Sequence, residues 1–305
     1  MIPIVSECFY LILYLVWLLF FVVFFHSNLK ILHLRFSLLF WLRCCNEYDY
    51  IKERYEEYKN NKEQLENILD SKFIRNKCPA QTIYCELYGL YDSKEKLKYQ
   101  IRERSEVICP YCGIQETPYH VDHILPRSKY PEFSMFNHNL IGVCSVCNSR
   151  YKGDDFVSDG ERQFFNPYVD TFIEDKQFVK CSLSVNEIYL KINFSIEDID
   201  DEAYGYMIIK NHFDNLHLNS RYKKILLQDK LKRFRDRFIN EYIREKKYIR
   251  EYEDVTLIEL KNDINRKIRE LQRFNDNHWE KVFWKALKEC DEYLNLIVDK
   301  CIPID

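Results

Sequence analysis

Two Cys-x-x-Cys pairs, Cys109-Pro-Tyr-Cys112 and Cys144-Ser-Val-Cys147, are the residues whose type and spacing most directly dictate a chemistry. Four thiolates presented as two tight knuckles suit a closed tetrahedral zinc site, which organises a chain without reacting. Thirty-one residues separate the pairs, so the metal ties together the two ends of an insertion. Inside it run Tyr119-His-Val-Asp122-His123-Ile-Leu-Pro126, a polar loop with Arg127 and Lys129, and Asn139-Leu-Ile-Gly-Val-Cys144. Cys147-Asn148-Ser-Arg150-Tyr-Lys152-Gly153 follows. The order reads as strand, loop, strand and helix, with Ser145 suited to cap the helix and Gly153 to a left-handed position after its end.

These residues resemble the HNH endonuclease family, whose ββα-metal finger carries an Asp-His pair on its first strand and an Asn on its second. The family's helix, after a Cys-x-x-Cys, carries an Asn or His. The resemblance covers 45 of the 305 residues. It implies that His123 is the general base that activates water, that Asp122 and Asn148 bind a catalytic divalent cation (Mg²⁺ or Mn²⁺), and that Asn139 holds the His123 ring. It also implies that Cys109, Cys112, Cys144 and Cys147 hold a structural Zn²⁺. The chemistry agrees with these roles. An imidazole titrating near neutrality can take a proton from water, a step worth ~10²- to 10⁴-fold. A hard cation keeps several waters and needs only one or two protein oxygens. Arg127, Lys129, Arg150 and Lys152 flank the finger as candidates for phosphate contacts on either side of a scissile bond. His120, as an extra ligand on the first strand, and His138, as the residue orienting the base, are alternatives; Asn139 is preferred because it immediately precedes the apolar strand.

By the same resemblance the reaction is hydrolysis of phosphodiester bonds in DNA, leaving 5′-phosphate and 3′-hydroxyl ends. An RNA-cutting effector, and a zinc-stabilised nucleic-acid-binding or adaptor protein without cleavage, stay open beside it. Residues 160–170 resemble the aromatic HPYFD-like stretch that follows the finger in some bacterial HNH proteins, with Asn166 in place of the His. Those proteins are often anti-phage defence or mobile-element nucleases that work beside an ATPase, which implies an ATPase partner here.

The elements that must hold the site are mainly helical. Six Gly and eight Pro in 305 residues leave long uninterrupted stretches, and 47% hydrophobic residues can bury a substantial core. The fold class expected is α+β, mainly helical, with the finger embedded between helical regions and a short β-hairpin after it. Residues 46–105 read as a helical region, with a helix over 46–77 carrying Tyr48, Ile51, Tyr55 and Tyr58 on one stripe and another over 94–105. The nuclease domain is placed at 106–168. Within 169–305, strands are expected over 177–183 and 187–194 with a turn near 184–186, then helices from about residue 198 onward. Net charge is only −3, so any polyanion surface must be local. Residues 221–252 hold twelve basic against five acidic side chains and interleave Ile225, Leu226, Leu231, Phe234 and Phe238. A helix there can pack one face and show phosphates the other.

Cysteine usage points to a reducing compartment, because the eight cysteines outside the two pairs form no disulfide-like pattern. Residues 1–45 are hydrophobic, and 8–25 comprise 18 residues without a charge, close to the ~20 of a transmembrane helix. Lys30, Arg35 and Arg43 all follow it, which would place the remaining chain in the cytoplasm, tethered to the inner membrane. The other reading is that these residues precede the true start of translation.

Overall fold

The computed structural model describes residues 49–75, 101, 108–116, 120–170, 176–186, 189–197, 203–246 and 257–299. Residues 49–60 form helix α1. The helix ends well before residue 77, because Asn60-Asn61 is a poor helix interior and the Asn61 amide donates back to the Glu57 carbonyl (2.9 Å). A 3₁₀ turn at Leu65–Asn67 and the short helix α2 at Lys72–Arg75 complete this region. Tyr58 of the expected stripe is buried, and Tyr55 packs at a tilt on Phe136 with ring centroids 4.3 Å apart. Tyr48 and the helix expected over 94–105 lie outside the described residues, except that Ile101 is helical and buried.

Strands β1 (His120–His123) and β2 (Leu140–Val143) pair antiparallel, with Asp122 opposite Ile141 and His123 opposite Leu140. Helix α3 (Val146–Lys152) packs on this hairpin. A two-residue ladder, β3 (Val157–Ser158) with β4 (Glu161–Arg162), follows. The long hairpin joins β5 (Val179–Asn186) to β6 (Tyr189–Ile196). Both strands lie two to three residues later than expected, so Ser184, Val185 and Asn186, read from sequence as the turn, are paired residues of β5, with Asn186 opposite Tyr189. Strict alternation along β6 buries Leu190, Ile192 and Phe194 on one face. Helices α4 (Ala203–Asn215), α5 (Leu218–Ile225), α6 (Leu231–Lys246), α7 (Leu257–Glu270), α8 (Trp279–Lys288) and α9 (Asp291–Asp299) follow, with the π-wound segment Leu226–Lys230 between α5 and α6. The protein is therefore a mixed α/β chain, mainly helical, with small two-stranded sheets.

One apolar core runs from Tyr58 through the knuckle cysteines to Trp284 and Leu294, so the finger and the C-terminal helices share an interior. Among the described residues no helix is long and apolar enough to cross a membrane; the segment 8–25 lies outside them.

Candidate functional site

The four cysteine sulfurs lie within 4.8 Å of one another and all four residues are buried. A tetrahedral zinc with Zn–S near 2.3 Å needs sulfurs about 3.8 Å apart, so the cluster fits such an ion with little closure, and an all-thiolate set suits zinc. Gly113 closes the first knuckle by donating its N–H to the Cys109 carbonyl (2.8 Å) at φ +64°, and a Cβ there would meet Trp279 at 3.4 Å. The Cys144 N–H donates to the Cys109 sulfur (3.3 Å), and the Cys147 N–H donates to the Cys144 sulfur (3.4 Å). Hydrogen bonds among the sulfurs pull the Cys109 and Cys144 thiols below their ordinary range and push Cys112 and Cys147 above it. Zinc binding would displace those shared protons.

Alternation along β1 sends His120 and Asp122 toward α3 and leaves Val121 to pack with Ile101, Met135 and Leu140. Asp122 is buried. Its Oδ2 accepts from the Tyr111 hydroxyl (2.7 Å), and its Oδ1 accepts from Lys152 Nζ (3.2 Å), which also donates to the His123 carbonyl (3.0 Å). One turn before Lys152, the Asn148 side-chain Nδ2 and Ser149 Oγ each lie 3.3 Å from His120 Nδ1. With Nδ2 so engaged, the Asn148 amide oxygen is the atom suited to a hard cation. Helix α3 is wound wide, the Gly153 N–H reaching back five residues to the Asn148 carbonyl (2.8 Å).

The His123 ring turns to the loop between the strands. Its Nε2 lies 3.1 Å from the Ser134 carbonyl. A carbonyl can only accept, so Nε2 carries the hydrogen and Nδ1 is the basic nitrogen. Burial pushes the His123 pKa down to about 4, opposed by the neighbouring Asp122 and aided by the charges of Arg127 and Lys152. The ring is therefore neutral at pH 7, the form a general base requires. The residues fit a divalent cation by donor chemistry: the Asp122 carboxylate and the Asn148 amide are hard oxygens on facing elements beside a neutral imidazole.

The HNH endonuclease family model matches residues 109–153. This segment is an HNH endonuclease domain. Beyond it, the chain is similar to Protein ea31 of Escherichia phage lambda, 26% identical over 252 residues that cover 76% of this chain and 74% of the phage protein. No solved structure matches. Neither match names an ATPase or a membrane.

Within the HNH domain the residues expected from sequence fall into three groups. Asp122, His123 and Asn148 lie around the β1–α3 contact as described. Asn139 sits elsewhere than against the ring: its Oδ1 accepts from the Leu125 N–H (2.8 Å) and its Nδ2 donates to the Leu125 and Phe133 carbonyls (3.1 and 3.2 Å). It ties the two limbs of the loop together beside Ser134, and so reaches His123 only through the backbone. Of the four flanking cations, Arg127, Lys129 and Arg150 are exposed, whereas Lys152 is 1% exposed and turned inward on Asp122. An internal carboxylate in contact explains the difference, since a lysine is buried only when a counter-charge offsets its desolvation. Ser145 makes no side-chain cap; the Cys144 sulfur does so instead through the Cys147 N–H. His138 is exposed, accepts from Tyr58 through its carbonyl (2.9 Å) and packs its ring on Phe136, whereas His120 is the histidine brought to Asn148.

Three contributors escape a sequence reading. Tyr111, inside the first Cys pair, joins the zinc knuckle to Asp122. The carbonyls of Tyr111, Cys112 and Gly113 accept, in turn, from His212 (2.7 Å), Tyr222 (2.8 Å) and Trp279 (2.9 Å), so rings from α4, α5 and α8 grip the knuckle. Arg221 donates to the Cys147 sulfur (3.3 Å) and lies over Tyr151, and it therefore belongs to the zinc surroundings rather than to a phosphate-facing stripe. Other basic residues of the 221–252 stretch pair with carboxylates, Lys230 with Glu280 of α8 (2.7 Å) and Arg233 with Asp229 one turn earlier.

Proposed function

We propose that this protein is a metal-dependent endonuclease that hydrolyses phosphodiester bonds in DNA, with His123 as the general base. The observation that carries the reading is the His123 ring, neutral and fixed through Nε2 on the Ser134 carbonyl within the matched HNH domain, so that Nδ1 can accept a proton. Asp122 and Asn148 would hold a divalent cation, either Mg²⁺ or Mn²⁺. Bound there, such an ion supplies neutralisation of the charge that builds on the phosphate. His123 Nδ1 takes the proton of the attacking water. The new P–O bond forms as the P–O3′ bond breaks, and the leaving oxygen takes up a proton, giving 5′-phosphate and 3′-hydroxyl ends. Arg127, Lys129 and Arg150, exposed around the domain, would hold the flanking phosphates. The four cysteines, with zinc, keep β1, β2 and α3 in register and take no chemical part.

The test is cleavage by the purified chain with Mg²⁺ or Mn²⁺ on linear DNA, plasmid and RNA in parallel. DNA cleavage abolished by H123A supports the proposal. RNA cleavage alone would make the protein an RNA-cutting effector. Tight, salt-sensitive DNA binding with no cleavage would make it a zinc-stabilised binding protein.

A further inference from the structure

The burial of Lys152 bears on how the cation enters the site. Its ammonium touches both Asp122 oxygens, Oδ1 at 3.2 Å and Oδ2 at 3.1 Å, and the His123 carbonyl at 3.0 Å. The side chain is fully shielded from solvent and lies over the Phe164 ring at 5.8 Å. On its other side, Asp122 accepts from the Tyr111 hydroxyl. The carboxylate thus carries a compensating positive charge in direct contact, and Asn148 and Ser149 add none. Divalent sites built from oxygen gain affinity with the number of ligand charges. Among the described residues this one is built on a single carboxylate, Asp122, already neutralised by Lys152.

Taking Asp122 and Asn148 as the cation ligands, as proposed above, we infer that Lys152 holds the site charge-neutral. The catalytic cation then binds weakly to the protein alone and enters together with a phosphate of the nucleic-acid backbone, whose negative charge completes the site. Cation and nucleic acid consequently bind cooperatively, and each tightens the other by the same factor. Lys152 acts here as a positioning residue, through Asp122.

The test is Mn²⁺ binding to the full, zinc-loaded chain by electron paramagnetic resonance of free Mn²⁺, in an H123A background so that nucleic acid stays intact. A short DNA duplex is expected to tighten Mn²⁺ by about tenfold or more. K152M and K152Q are expected to tighten Mn²⁺ by about tenfold or more without DNA, because a dication near an ammonium is strongly repelled. K152R should stay weak. If neither neutral variant tightens Mn²⁺ while zinc content is intact, the inference is overturned. Loss of zinc in both also overturns it, since Lys152 would then be a folding strut. D122N separates the two levels: unchanged Mn²⁺ affinity in D122N refutes Asp122 as a ligand. Weakening in D122N without tightening in K152M refutes only the role of Lys152.

Discussion

Replacing Arg54 with methionine probes how the His123 ring is held from outside the HNH domain. Arg54, on α1, donates through Nε to Glu132 (2.8 Å), through Nη1 to Glu57 (2.7 Å) and through Nη2 to the Leu69 carbonyl (2.6 Å). Glu132 is completely buried and lies two residues before Ser134, whose carbonyl takes the His123 ring. Removing one member of a buried ion pair strands the other, which costs about 3–5 kcal/mol. R54M should therefore lower the urea midpoint of the zinc-loaded protein strongly. E132Q removes the stranded charge while keeping its shape, so the double variant R54M/E132Q should recover about 2 kcal/mol or more relative to additivity. The loop from Ile124 to Asn139 would loosen along with the pair, and cleavage should fall in R54M at temperatures where it remains folded. Additivity of the two substitutions within about 0.5 kcal/mol would refute the coupling.

Other perturbations reach the same architecture from different sides. Y111F removes the hydroxyl that bonds Asp122 at 2.7 Å; unfolding should register a loss of about 1–2 kcal/mol, and cleavage should drop more than zinc content does. R221M withdraws a donor from the Cys147 sulfur, and competition with a chromophoric chelator should show zinc affinity weakened about 10- to 100-fold. Burial pushes the fully enclosed His212 down to about 4. Its folded form resists a proton that the unfolded chain accepts near 6.5. Stability is therefore full above about pH 6.5 and is lost as pH falls toward 4, by about 3 kcal/mol. Urea titrations across that range should show the slope, and H212Q should reduce it by the His212 share, leaving that of His123 and His278, which burial also pushes down to about 4.

What could be read from the sequence was what obeys local spacing. Two Cys-x-x-Cys pairs mark the cysteine cluster and the limits of the HNH match, and strand alternation and helical turns bring Asp122 and Asn148 to the β1–α3 contact. The hairpin and the helical C-terminal region were legible for the same reason. The Lys152–Asp122 pair was not: an i-to-i+30 ion pair leaves no periodic trace, and a lysine beside a phosphate-binding motif looks like a surface cation. The grip of His212, Tyr222 and Trp279 on three successive carbonyls of the first knuckle was hidden for a similar reason. Its acceptors are backbone atoms, which every residue possesses. Asn139 lies in the 3₁₀ turn just before β2 and gives its side chain to the Leu125 and Phe133 backbone instead of a ring, since an amide can satisfy either and only the path of the loop decides. Helix α1 ends near residue 60 because Asn60-Asn61 and the fold of the following turn override the charge pattern that continues to residue 77.

The most direct measurement of the central claim is single-turnover cleavage of duplex DNA by the zinc-loaded protein in Mn²⁺, comparing it with H123A at equal zinc content and equal DNA affinity. Loss of about 10²-fold or more in H123A, with binding unchanged, is the result predicted for a general base. Cleavage that persists undiminished in H123A would contradict it.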